Sequence, residues 1–355
     1  MSSLALVAGA CGPASQPPAA GGGGNVTIAT PNPQAAATPA ATMAATSTGP
    51  TPAAGQTTTA AAQPTQPATA RPAAQPSGPQ EITVNALQGE PDNLDPSRSS
   101  FATEAAVVRQ VFETLLAFDK DLKPVPAAAS SFEVSPDGKK YTFHLRPDGK
   151  WSDGKPVTAK EFEYSFKRIL NPDTAAEYAS FYTDAGIVGA ADYNAGKATA
   201  DSVGVRARDD ATLEIELEQP SGYFPNLAAL WVVAPLREDI VSKDGWAQDP
   251  ATYIGNGPFK MSEWIHQDHI TLVPNPNYAG EKPKLQKVTF LMVTSSAADY
   301  AAYRNNERDW TLVPDADANA VRNDPQLSKE AHEFTELTTF WLIMNNAKAP
   351  LDNPM

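Results

Sequence analysis

From Glu81 onward, apolar positions recur at two different periods, and each change of period marks a new element. In EITVNAL, Ile82, Val84 and Ala86 alternate with polar partners, which predicts a strand. After the turn-rich GEPDNLDP, the run TEAAVVRQVFETLLAF places Val107, Val111 and Leu115 on one helical face, with Val108 and Phe112 beside it. That spacing predicts a helix of about four turns. The turns SPDGKK and RPDGKW frame Tyr141, Phe143 and Leu145, which alternate with polar residues as a strand does. VTAKEFEYSFKRILNP opens on Thr158 with Glu161 three residues later, the spacing of a capping box. Phe162, Phe166, Ile169 and Leu170 supply its buried stripe, and Pro172 stops the helix.

The strand pattern returns in ATLEIELEQP, where Leu213, Ile215 and Leu217 face inward and the glutamates outward. GNGPFKMSEWIHQDHITLVPN predicts a hairpin, with Phe259, Met261 and Trp264 before a polar turn and Ile270 and Leu272 after it. KVTFLMV is apolar nearly throughout, which predicts a strand covered on both faces. It leads through a helix in SSAADYAAYRNN to a strand in DWTLV, a βαβ unit, and TTFWLIMNN predicts one more apolar strand. Strands mixed with helices in this way predict an α/β fold.

Composition divides the chain. From Gly12 to Pro79 it is almost entirely Ala, Pro, Thr, Gly, Gln and Ser, and the first charged residue is Arg71. Burial there cannot offset the entropy of ordering the backbone, so 12–80 is expected to be a disordered linker. All six Trp and all ten Tyr follow it. The net charge of -14 argues against a nucleic-acid partner, which needs clustered Lys and Arg. No apolar run reaches the roughly 20 residues that span a bilayer.

Candidate chemistry is sparse. The single cysteine, Cys11, rules out an internal disulfide and a cysteine-based zinc site. Of the four histidines, His266 and His269 flank Asp268 in HQDH, a metal-like grouping that nevertheless straddles a hairpin turn, where polar residues belong anyway. The carboxylates of EIELE form a solvated stripe. No Gly-Lys-Ser/Thr phosphate loop is present, and Gly21 to Gly24 sit in the linker. No catalytic residue, metal site or cofactor is expected.

With the elements placed, EPDNLDP, VFETLLAFD, YTFHLRPDGKWSDGKPVTAKEFEYSFKRILNP, EYASFY, NGPFKMSEW, PNPNYAGEKPKLQKVTFLMV and FWLIMNNAKAPLDNP follow one another in a familiar order. In order and spacing they resemble the peptide- and nickel-binding solute-binding proteins, family 5, that feed ABC importers, nearest the oligopeptide binders. The resemblance covers 81–355 and implies the type II periplasmic-binding-protein fold, here its first lobe with an inserted subdomain at about 113–237. Residues from about 338 to 355 would cross toward a second lobe, which family members build from a further long stretch of chain. That lobe is therefore expected to be largely missing and the sequence to be a fragment. LVAGACG resembles a lipobox, with Cys11 the acylated residue and 1–11 a signal remnant, although Ala8 stands where Leu is usual. No Lys or Arg precedes the apolar stretch, so the true start is expected upstream of Met1. The bland alternative is a surface thiol in a disordered tail.

The resemblance also implies a function and a site. The expected function is capture of extracellular oligopeptides and their delivery to an ABC permease, by a monomeric, lipid-anchored, non-enzymatic protein. The alternatives are a dipeptide, nickel, haem or oligosaccharide ligand, or peptide hydrolysis. Ser100, Phe101 and Ala102 fall where the family runs main-chain groups beside the peptide. Tyr178 matches a ligand-contacting aromatic, and Val313 and Trp341 match positions lining the cleft. Trp341 replaces a Tyr of close relatives and Ile343 a Glu, which makes the cleft more apolar. Without the resemblance, Tyr178 and Trp341 read as core, and Ser100 as the cap of the following helix.

Overall fold

Two four-stranded sheets organise residues 80–333, the part described by this computed structural model. The strands are β1 (Glu81–Val84), β2 (Leu116–Phe118), β3 (Pro124–Pro126), β4 (Ala129–Val134), β5 (Lys140–Leu145), β6 (Val205–Ala207), β7 (Thr212–Glu216), β8 (Phe259–Ile265), β9 (His269–Pro274) and β10 (Lys287–Leu291). The longer helices are α1 (Ala102–Val111), α2 (Ala159–Leu170) and α3 (Ala179–Asp184). Shorter or later ones are α4 (Ala190–Asn194), α5 (Phe224–Ala228), α6 (Glu238–Val241), α7 (Ser296–Arg304), α8 (Ala318–Asn323) and α9 (Leu327–Glu330).

The first sheet has the order β1-β10-β9-β8, with β1 and β10 parallel and the other pairs antiparallel. Its register sets Val84 against Phe290, Phe290 against Ile270, and Leu272 against both Val288 and Met261. These side chains are buried together, so the period-two pattern has fixed one core face. The second sheet, β4-β5-β7-β6, is antiparallel throughout. Tyr141, Phe143, Leu145, Leu213 and Ile215 line its buried face, and α2 packs across β6 and β7 with Phe162, Phe166, Ile169 and Leu170 inward. At the start of α2 the Glu161 carboxylate accepts the Thr158 main-chain N–H at 2.9 Å and the Thr158 hydroxyl at 2.6 Å.

Three expectations are corrected. The predicted four-turn helix stops at Val111, and Leu116–Phe118 is strand β2. Helical periodicity continues through Leu115, but tertiary partners take the main chain away from the helix. The Gly257 N–H donates to Val111 O at 2.8 Å, and the Asn256 side chain pairs with both main-chain groups of Glu113 at 2.9 Å. Second, Asp309–Val313 forms no strand, so the βαβ unit is not completed among the described residues. Instead the Asp309 carboxylate accepts the Thr83 N–H at 3.0 Å, the edge donor that a neighbouring strand's carbonyl would have taken. Third, β10 is covered on one face only, since Val288 and Phe290 are buried while Lys287, Thr289 and Leu291 are half-buried. The expected linker, the Cys11 anchor and the TTFWLIMNN strand lie outside the described residues.

Candidate ligand site

The segment from Glu90 to Glu104 joins β1 to α1 and is held by three carboxylates. Glu90 reaches the β8–β9 hairpin, accepting from the Trp264 indole at 3.1 Å and pairing with the His266 ring at 2.8 Å. Asp95, nearly fully buried, meets the Arg168 guanidinium of α2 through two parallel contacts of 2.7 and 2.5 Å, the fork geometry that suits arginine. Glu104, on the first turn of α1, turns back on the loop. It accepts the main-chain N–H groups of Asn93 at 2.7 Å, Ser100 at 3.1 Å and Phe101 at 3.3 Å. These three donors are thus satisfied from inside the protein.

Ser100 is not the helix cap; that position belongs to Phe101, whose main chain is extended. The Ser100 carbonyl accepts from the Tyr178 hydroxyl at 3.4 Å. The Tyr178 ring, just ahead of α3, meets Trp231 edge-on at 5.5 Å and Phe181 at 5.0 Å. Trp231 in turn donates its indole N–H to Ser99 Oγ at 3.2 Å, and the Arg109 guanidinium lies 5.2 Å from its ring. Burial draws the Arg109 pKa down, with Tyr178 pulling the other way. Beside this group Phe101 stands open, 56% exposed, which is unusual for a ring that size in a structured loop. The result is a wall of aromatic rings and main-chain groups on a braced loop, chemistry that binds extended chains or flat apolar molecules.

A second brace lies below it. Glu113 accepts from Arg146 at 2.6 Å and from the Tyr278 hydroxyl at 2.8 Å, tying the residues after α1 to β5 and to the segment after β9. Burial pushes the Glu113 carboxyl up, against the pull of Arg146 and Tyr278.

Of the site residues expected from sequence, the structure brings Ser100 and Tyr178 into contact, with Phe101 and Ala102 next in the chain. Val313 is 36% exposed, in the irregular segment after α7. Trp341 and Cys11 fall outside the described residues. The HQDH histidines have local partners: His269 sits between Asp268 at 2.7 Å and Glu263 at 3.2 Å. Sequence reasoning missed Trp231, Ser99, Arg109 and the carboxylate braces. Glu104, three residues after Phe101, has the capping-box spacing that could have found it, whereas Trp231 is hidden in the apolar run LAALWVVAP.

The chain as a whole has counterparts among known proteins. A family model described as bacterial extracellular solute-binding proteins, family 5 (middle), matches residues 123–355. This chain belongs to that family. It is 36% identical over 281 residues to the oligopeptide-binding protein OppA of Bacillus subtilis, covering 78% of this chain and 51% of that protein. It is 35% identical over 274 residues to a probable deoxycholate-binding periplasmic protein of Escherichia coli, covering 74% and 51%. The crystal structure of Haemophilus influenzae OppA in complex with the peptide RPPGFSPFR superposes with a TM-score of 0.69 at 32% identity, over 79% of this chain and 55% of that one. The fold is thus that of the type II periplasmic-binding proteins, and the chain spans about half the length of the relatives it matches.

Proposed function

We propose that this family 5 chain captures extended oligopeptides outside the cytoplasm and passes them to an ABC permease, without making or breaking bonds. The observation that carries the reading is the exposed Phe101 ring beside the Ser100–Tyr178 contact. Rings and main-chain groups grip a peptide largely without regard to its side chains. The peptide bound in the Haemophilus influenzae relative supports that ligand class. Ser100, Phe101, Ala102 and Tyr178 form one wall of the proposed cleft, and Val313 and Trp341 add to it. Acylation at Cys11 tethers the protein, a monomer, to the membrane through the 12–80 linker. A second reading, a steroid-like apolar ligand, is favoured by the same open ring and by the deoxycholate-binding relative.

Calorimetric titration of the chain with a random pentapeptide pool, and separately with deoxycholate, tests the choice. Peptide is expected to bind and to remain uncleaved over hours. Tyr178→Phe removes only the hydroxyl that fixes the Ser100 carbonyl and is expected to weaken peptide binding about three- to tenfold, the worth of one hydrogen bond. Heat from deoxycholate and none from peptide would overturn the peptide reading.

A further inference from the structure

The sequence contains a single Asn-Gly pair, Asn256–Gly257, in the GNGPF run that the proposed ligand wall does not use. An asparagine carboxamide is open to attack by the main-chain nitrogen of the residue that follows it. Glycine permits the attack most readily, since it has no Cβ to crowd the nitrogen and reaches backbone angles that other residues avoid. The Gly257 nitrogen gives up its proton and bonds to Asn256 Cγ, the Cγ–Nδ2 bond breaks, and ammonia leaves a five-membered succinimide. Water then opens the ring at either carbonyl, giving aspartate or isoaspartate. One amide and one water become one carboxylic acid and one ammonia, with no change of oxidation state.

In the fold, every group that this reaction needs is occupied. Asn256 is only 4% exposed. Its Oδ1 accepts the Glu113 N–H at 2.9 Å, and its Nδ2 donates to the Glu113 carbonyl at 2.9 Å. The attacking group, the Gly257 N–H, donates to Val111 O at 2.8 Å. The main chain on either side is seated tightly against the end of α1: a Cβ on Gly255 would stand 2.0 Å from the Val111 carbonyl oxygen, so the stretch has no room to turn and close a ring. Three hydrogen bonds must break first, which confines the reaction to molecules that have opened. Nor does the product fit where the reactant did. A carboxylate at 256 has no N–H for the Glu113 carbonyl and sets oxygen against oxygen there. It also borders the same small cavity as Glu113, whose carboxyl burial already pushes up, so a second negative charge is unwelcome. Isoaspartate adds one carbon to the main chain in a place without space for it.

We propose that Asn256 is a deamidation site held silent by the fold: it reacts in molecules that open, and then keeps them from recovering the native end of α1.

The test is peptide-mapping mass spectrometry of the full chain after incubation in mildly alkaline buffer, with and without guanidinium chloride. Deamidation at Asn256 is expected in denaturant, and about a hundredfold more slowly without it, the worth of three hydrogen bonds. Equal rates in the two conditions would overturn the proposal, as would an Asn256 that stayed intact in denaturant. Asn256→Gln makes ring closure six-membered, and in denaturant it is expected to remove the mass gain from this peptide whether or not the variant folds. A gain that persisted there would place the reaction on another residue and sink the idea. When denaturant is removed, deamidated molecules should collect in the fraction that a protease still digests. Modified and unmodified molecules refolding in equal yield would refute the block to recovery. No ligand enters the reaction, so this inference stands or falls apart from the peptide reading.

Discussion

Glu104 illustrates how one side chain can set the shape of a whole loop. Three main-chain donors, from Asn93, Ser100 and Phe101, converge on its carboxylate. In Glu104→Ala these donors lose their acceptor inside the fold, at a cost of about 2–3 kcal/mol. Urea unfolding should show that loss, and hydrogen exchange at the three amides should accelerate well beyond the global change. Unchanged exchange at Ser100 would mean that the loop is held by something else. At this scale the sequence was only partly legible. Ser100, Phe101 and Tyr178 were expected from resemblance to a family pattern, and Ser100 and Tyr178 do meet, whereas Trp231 looks in the sequence like any other core residue. Its role depends on Tyr178 and Ser99, which lie 53 and 132 positions away, and no local pattern encodes such pairings.

Among the elements, α1 ends where it does because of another segment. A Cβ added at Gly255 would lie 2.0 Å from the Val111 carbonyl oxygen, and one at Gly257 would meet the same residue's carbonyl carbon at 2.7 Å. The loop therefore reaches the helix end only because both residues are glycine. Gly255→Ala must push main chain against main chain, so it is expected to cost about 2–3 kcal/mol or more, measured as a lower midpoint in urea. A midpoint equal to that of the unaltered chain would refute the close approach. The β8–β9 hairpin carries a pH dependence. Burial lowers the His269 pKa, but the hydrogen bonds to Asp268 and Glu263 outweigh it, and the net shift is upward from 6.5. A histidine raised in the folded state contributes its full stability below the unfolded value, and that stability is lost as pH rises through the folded value. The melting temperature should fall as pH rises above about 6.5 and through the higher folded value. His269→Gln should flatten that slope.

For the molecule as a whole, the decisive contact is the one between Asp95 and Arg168. It joins the loop that follows the first sheet to the helix lying across the second. Both side chains are largely buried, so removing one leaves the other charged without a partner. Asp95→Ala is expected to cost about 3–4 kcal/mol, whereas a hydrophobic replacement of both residues should recover much of that loss. A double-mutant cycle followed by chemical denaturation would measure the coupling, and a coupling near zero would show that this pair does not hold the two sheets together.

By itself the sequence determined β1, β5, β7 and the β8–β9 hairpin, the start of α2 and the core faces, because period-two and period-3.6 burial patterns and capping are decided within a few residues. It also carried the family resemblance, through runs of residues in a fixed order. The tertiary structure decided the rest: that α1 yields to β2, and that the Asp309–Val313 segment caps an edge with a carboxylate instead of pairing as a strand. Each of these depends on which distant group reaches a main-chain donor or acceptor first. That competition is settled by three-dimensional position, which local pattern does not contain.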